Sequence, residues 1–237
     1  MSFGPPAMGY DRAITIFSPD GRIYQVEYAF EAVRRGWTTI GIKSRSGAAV
    51  VVEKRRISPL IDHNAIQKIF IIDEHIGVSF AGIASDGRVL IDYARLAAIR
   101  HRFLYDEQIT VEYLAKQICD VKQAYTQHAG VRPFGVAMIL VGVDFKGPQL
   151  YMTEPSGRYM SYYAAALGEK SQAVTEFLER NYKYDLTMKE TIKLGIEALS
   201  KALEGKMEAS NLEIGYVDVE EKKFKILSLQ EIAELLQ

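Results

Sequence analysis

Residues 34–43 read RRGWTTIGIK. Two arginines and a glycine close one element, and an alternating run from Trp37 opens another. Upstream, Ile23, Val26, Phe30 and Val33 are spaced 3, 4 and 3 apart, one stripe of an amphipathic helix. Arg34 and Arg35 fall in its last turn, where cations complement the helix dipole, and Gly36 ends it. Downstream, Trp37–Lys43 and Ala48–Glu53 flank the turn SRSG and predict a β-hairpin. A threonine that starts a strand just after a glycine can be a protease nucleophile, but only if the chain is cut before it. Its own α-amine then serves as the base. Here 37 residues, with a well-formed helix among them, precede Thr38, and the residue after Gly36 is Trp37, which has no nucleophile. Ser2 lies in a Gly/Pro-rich tail with no pocket around it. Processing near Thr38 to an active N-terminal threonine hydrolase stays open as the alternative reading.

The rest of the chain repeats one pattern, strands in hairpins followed by helices in pairs. IQKIFIID (Ile66–Asp73) and IGVSFAG (Ile76–Gly82) form a second strand pair. Val89, Tyr93, Leu96 and Arg100 mark the face of one helix. Val111, Leu114, Ile118, Val121 and Tyr125 mark the face of the next, with Thr110 as its N-cap. Strands return at Phe134–Asp144, Gln149–Glu154 and Arg158–Ala164, then at AAL before Gly168. In the second helix pair, Ala173, Val174, Phe177 and Leu178 mark the first stripe. TMKE caps the second helix, which carries Ile192, Ile196, Leu199 and Leu203. LEIGYVDV and KFKIL follow, then a short helix opened by SLQE. Strands joined by short turns pair antiparallel, and helices in consecutive pairs argue against a doubly wound parallel sheet. Two antiparallel sheets packed face to face with helix pairs outside bury every apolar stripe at once. The expected fold is an α+β, four-layer α-β-β-α sandwich: a tail over residues 1–9 and a single domain over 10–237.

Composition excludes several function classes. Basic and acidic residues number 29 and 30, for a net charge of −1, so nothing global points to nucleic acid or membrane. The local run of seven basic residues and one acid between Arg34 and Arg56 has only Trp37 to stack on a base, so it reads as a solvated hairpin. The single cysteine, Cys119, permits no disulfide within the chain and reads as a core thiol. The N-terminus lacks the apolar core of a signal peptide, and no apolar run reaches the ~20 residues of a membrane span. A cytoplasmic protein is expected. The four histidines, His63, His75, His101 and His128, form no zinc-binding spacing, and neither a G-x-S-x-G elbow nor a phosphate-binding loop is present. No metal or cofactor is expected.

GYDRAITIFSPDGRIYQVEYAFEAV (Gly9–Val33) resembles the N-terminal signature of α-type subunits of the 20S proteasome, the archaeal ones above all. The resemblance continues through GWTTIGIK, IQKIFIID, AGIASDGRVLIDYAR, YTQHAGVRPFGV and TEPSG, and weakens after about Leu203. It implies an N-terminal-nucleophile-hydrolase sandwich. It also implies a non-catalytic subunit that joins neighbouring α subunits in a heptameric ring capping catalytic β subunits. By the resemblance, Gly36 matches the glycine before the nucleophile in catalytic paralogues, Trp37 takes the nucleophile's place, and Lys68 matches their active-site lysine. Lys68, with Gly36 and Ile83, is then expected to receive the C-terminal tail of an AAA+ ATPase regulator. Without the resemblance, Lys68 reads as a strand residue facing solvent. Tyr10, Asp11, Pro19 and Tyr28 match the cluster that holds the gating tails upright, with residues 2–9 as the gate. His128, Ala129 and Gly130 stand where archaeal relatives often have Tyr-Gly-Gly in the loop lining the pore, through which unfolded protein substrates pass. Ala129 gives up glycine's backbone freedom, and His128 brings a side chain that ordinarily titrates near pH 6.5.

Overall fold

Helix α1 (Tyr24–Arg34) buries Val26, Ala29 and Val33, leaves Phe30 half-buried, and ends two residues before Gly36. A computed structural model describes residues 15–55, 57–201 and 207–236. From Gly36 the chain enters β1 (Thr39–Ser44) and turns back as β2 (Gly47–Glu53), with Thr39 opposite Val52 and Ser44 opposite Gly47. All seven residues of β2 are buried, as an apolar strand covered on both faces requires. Next come β3 (Ile69–Asp73), β4 (Ile76–Gly82), α2 (Ala84–Tyr105), α3 (Val111–Ala124), β5 (Val136–Asp144), β6 (Gly147–Thr153) and β7 (Tyr159–Ser161). The chain continues through β8 (Ala164–Leu167), α4 (Ser171–Asn181), α5 (Met188–Ser200), β9 (Leu212–Asp218), β10 (Phe224–Ile226) and α6 (Leu229–Leu235).

Two five-stranded antiparallel sheets result, in the orders β10-β9-β2-β1-β8 and β3-β4-β5-β6-β7. Three apolar cores separate four layers. One holds Leu90, Leu114 and Ile118 of α2 and α3 against Val78, Met138 and Leu140 of the second sheet. The middle core joins the sheets through Val50, Ile139, Leu150 and Phe224. The third packs Val174, Ile196 and Leu199 onto Ile40, Val51 and Ile214. This is the expected α+β, α-β-β-α sandwich. The helix caps also fall where the sequence puts them: Thr110 accepts from the Tyr113 amide, and Thr187–Glu190 and Ser228–Glu231 form reciprocal capping boxes.

Three local expectations change. The single strand expected over Arg158–Ala164 splits, because the chain passes there from one sheet to the other. The Tyr162 amide donates to Leu150 of β6, and Tyr163 accepts from the Lys43 amide of β1. The chain bends at Tyr163, and no glycine or proline marks the crossing. The strand expected from Ile66 begins only at Ile69, because the amides of Lys68 and Ile69 bond to the Glu213 carboxylate instead of a neighbouring strand. On α2 the expected face is displaced. The helix buries Leu90, Ile91, Ala94 and Ala98, while Val89 and Leu96 are 48% and 44% exposed. Small residues at 87, 94 and 98 let the helix lie close to the sheet, with Gly87 against the Phe80 ring. Arg100 stands exposed and Tyr93 half-buried. Leu203 lies outside the described residues.

Candidate functional site

The end of β4 gathers the three residues expected to receive a tail. Gly36 crosses it so closely that a Cβ there would stand 2.4 Å from the Gly82 amide nitrogen and 3.0 Å from the Ala81 Cβ. Gly82 itself adopts φ +116, and a Cβ on it would lie 2.1 Å from the Gly135 carbonyl. Both positions therefore demand glycine. Ile83 follows, donating its amide to Gly135 and leaving a 37% exposed side chain at the start of α2. Lys68 precedes β3. Its carbonyl accepts from Ser79 Oγ at 2.8 Å, and its ammonium lies 3.9 Å from the centre of the Phe80 ring and 5.4 Å from that of Trp37. Gly36, Lys68 and Ile83 thus meet along residues 80–83.

Lys68 is 9% exposed, so the solvent-facing alternative does not hold. Burial lowers its pKa to about 8, opposed by the Glu213 carboxylate. Aromatic faces attract a cation through the ring quadrupole, but they do not neutralise it. The Lys68 ammonium thus faces two rings that carry no charge of their own.

Thr38 and Thr39 are fully buried. The Thr38 amide donates to Glu53 Oε2 at 3.2 Å and its carbonyl accepts from the Glu53 amide at 3.0 Å. Glu53 in turn pairs with Arg55, which also reaches Glu169. In this arrangement the Thr38 nitrogen is a bonded amide rather than an α-amine able to act as a base.

The other expected sites lie apart. Pro19 is exposed in a turn closed by hydrogen bonds between Ser18 and Arg22 and from Gly21 to Ser18. Tyr28 is 53% exposed on α1 and stacks on Tyr24 with ring centres 6.5 Å apart. Tyr10, Asp11 and the tail at 1–9 lie outside the described residues. His128, Ala129 and Gly130 form an exposed loop after α3. His128 Nδ1 lies 2.6 Å from the Ala124 carbonyl, so this ring covers the open end of α3. Among the described residues no cluster of His, Cys, Asp or Glu could hold a metal ion, and no helix is long and apolar enough to cross a membrane.

A family profile for the N-terminal signature of A-type proteasome subunits matches residues 10–32, and the general profile for proteasome subunits matches residues 33–217. The chain belongs to the proteasome α-subunit family. Curated relatives named as proteasome alpha subunits agree along its length. The one from Sulfurisphaera tokodaii is 56% identical over 240 residues, and that from Sulfolobus acidocaldarius 58% over 240, each alignment covering 100% of this chain and 99% of the relative. A third, from Saccharolobus islandicus, is 59% identical over 222 residues, covering 93% of this chain and 92% of the relative.

Two charged residues of this α-type chain escaped the sequence reading. Glu213 sits between Leu212 and Ile214 near the start of β9, and an acid flanked by two buried apolar residues signals a buried carboxylate. Lys122 stands one turn after Ile118 on the buried face of α3, and its side chain is fully enclosed. Cys119, on the same face, is buried as expected, and burial pushes its thiol up to about 11.

Proposed function

We propose that this chain is a non-catalytic outer-ring component of the 20S core particle. It joins neighbouring α subunits in a heptameric ring above catalytic β subunits, in the cytoplasm, and controls the passage of unfolded protein substrates. The observation that carries the non-catalytic reading is the environment of Thr38: an enclosed hydroxyl, an amide bonded to Glu53, and α1 packed ahead of it on β4 and β5. The runner-up, an active threonine hydrolase, requires loss of that helix. The purified chain is expected to keep residues 10–33 by intact mass and to hydrolyse no peptide unless β subunits are present. A shortened chain beginning at Thr38 with peptidase activity would overturn this.

In the same reading residues 2–9 are the gate, held by Tyr10, Asp11, Pro19 and Tyr28. The loop His128-Ala129-Gly130 lines the passage. Deleting residues 2–9 is expected to raise basal peptide hydrolysis several-fold in particles rebuilt with β subunits. An unchanged rate would mean that the tail does not close the pore.

Lys68, Gly36 and Ile83 receive the C-terminal tail of an AAA+ ATPase regulator. The enclosed ammonium supports this, because a charge-assisted hydrogen bond to a terminal carboxylate is worth roughly 1.5–3 kcal/mol. Lys68→Ala is therefore expected to weaken tail binding about 10- to 100-fold without disturbing ring assembly. Equal stimulation of wild-type and variant particles by the regulator would remove Lys68 from the docking site.

A further inference from the structure

Lys68 has a partner 145 residues further along the chain. Glu213 lies in β9 of the first sheet, between Leu212 and Ile214, and is 9% exposed. Its two oxygens accept the amides of Lys68 at 2.9 Å and Ile69 at 3.2 Å, at the head of β3 in the other sheet. A carboxylate bridging two sheets is costly to bury; the two amides offset part of that cost, and burial still pushes the Glu213 carboxyl above the usual carboxylate range. Ser79 Oγ holds the Lys68 carbonyl at 2.8 Å. The main chain at Lys68 is thus fixed on both sides, which sets the point from which the side chain rises between Phe80 and Trp37.

We propose that Glu213 is the positioning residue of the docking pocket. It fixes the backbone under Lys68 and so aims the ammonium at an incoming carboxylate. This rests on the docking reading given above. The groups around the pair are few. Lys54, just beyond β2, faces Glu213 electrostatically, and the walls from Trp37 and β4 are the uncharged rings. Burial alone drives Lys68 toward its neutral form, and the field of Glu213 opposes that. Removing that opposite charge moves Lys68 further down.

The test uses the full chain assembled with β subunits. The probe is an acetylated apolar heptapeptide with a free C-terminal carboxylate and a rhodamine label, followed by fluorescence anisotropy from pH 6 to 9.5, with the C-terminal amide as control. The probe's carboxylate stays ionised throughout, so any change with pH belongs to the protein. Wild-type particles bind the acid form and lose it as pH rises through about 8. In Glu213→Gln the midpoint moves down by about one pH unit, and binding at pH 8 falls about fivefold. Glu213→Asp keeps the charge on a shorter arm, so the midpoint stays while affinity drops several-fold; this variant carries the test if the Gln variant fails to assemble. An unshifted midpoint in Glu213→Gln, or undiminished affinity in Glu213→Asp, overturns the proposal. Equal binding of acid and amide by wild-type particles, or full binding by Lys68→Ala, overturns the docking reading instead.

Discussion

Leu96→Glu combined with Phe103→Glu is expected to leave the chain folded and to abolish its incorporation into a complete particle. On α2, Val89, Leu96, Ile99 and Phe103 are 48%, 44%, 65% and 89% exposed, and three of them recur every seven residues. Seven residues make close to two helical turns, so these side chains form one stripe opposite the buried face of Leu90, Ala94 and Ala98. A contiguous apolar stripe of this kind marks an interaction surface. In the proposed assembly a neighbouring chain of the particle is the partner expected to cover it. Fully burying a Leu or Phe side chain is worth about 1.5–3 kcal/mol each. The double variant forfeits both and sets two carboxylates against an apolar partner, a cost repeated at every copy in a ring. Since neither side chain belongs to a buried core, the melting temperature of the isolated chain should move by no more than about 2 °C. Native mass spectrometry with β subunits present reads the outcome. Normal co-assembly would show that the stripe remains open in the particle.

That stripe also shows where periodicity misleads. Leu96 and Val89 are as apolar as Leu90 and Ile91, so the sequence carries two apolar faces on α2, and spacing alone cannot say which one meets the sheet. The small residues 87, 94 and 98 decide it by allowing close approach, a packing effect that hydrophobicity does not register. The layers were legible because they depend on hairpins and paired helices, signals that are local in sequence. The switch of sheets at Tyr162 and Tyr163 was not, because the chain bends there on two tyrosines with no glycine or proline to mark it. Around the pocket, Gly36, Lys68 and Ile83 came from resemblance, while Glu213 depends on a contact across 145 residues between two sheets. The one local hint was an acid between Leu212 and Ile214. Tyr10 and Asp11 remain proposals on the sequence alone.

Lys122 should make the stability of the chain rise with pH between about 7 and 10, and Lys122→Met should remove that rise. The side chain is fully buried. Its Nζ donates to the Val136 carbonyl at 2.9 Å and to Thr153 Oγ1 at 2.8 Å. Burial lowers its pKa to about 7, against the opposing pull of Cys119 and Glu154. An unfolded lysine holds its proton up to about pH 10.4. Between these values the unfolded chain binds more protons than the folded one, so raising the pH favours the fold. Below about 7 both states are protonated, and the full penalty, about 5 kcal/mol, is present. Methionine has similar length and no proton to lose. Its failure to satisfy Val136 and Thr153 costs the same at every pH, which offsets the curve without tilting it. Lys68, with its own lowered pKa, titrates in both proteins and cancels in the comparison. From pH 7 to 9 the melting temperature of the wild type, measured against Lys122→Met, should therefore gain roughly 5–10 °C, at 2–4 °C per kcal/mol for a chain of this size. Parallel curves would show that Lys122 keeps its charge inside the fold.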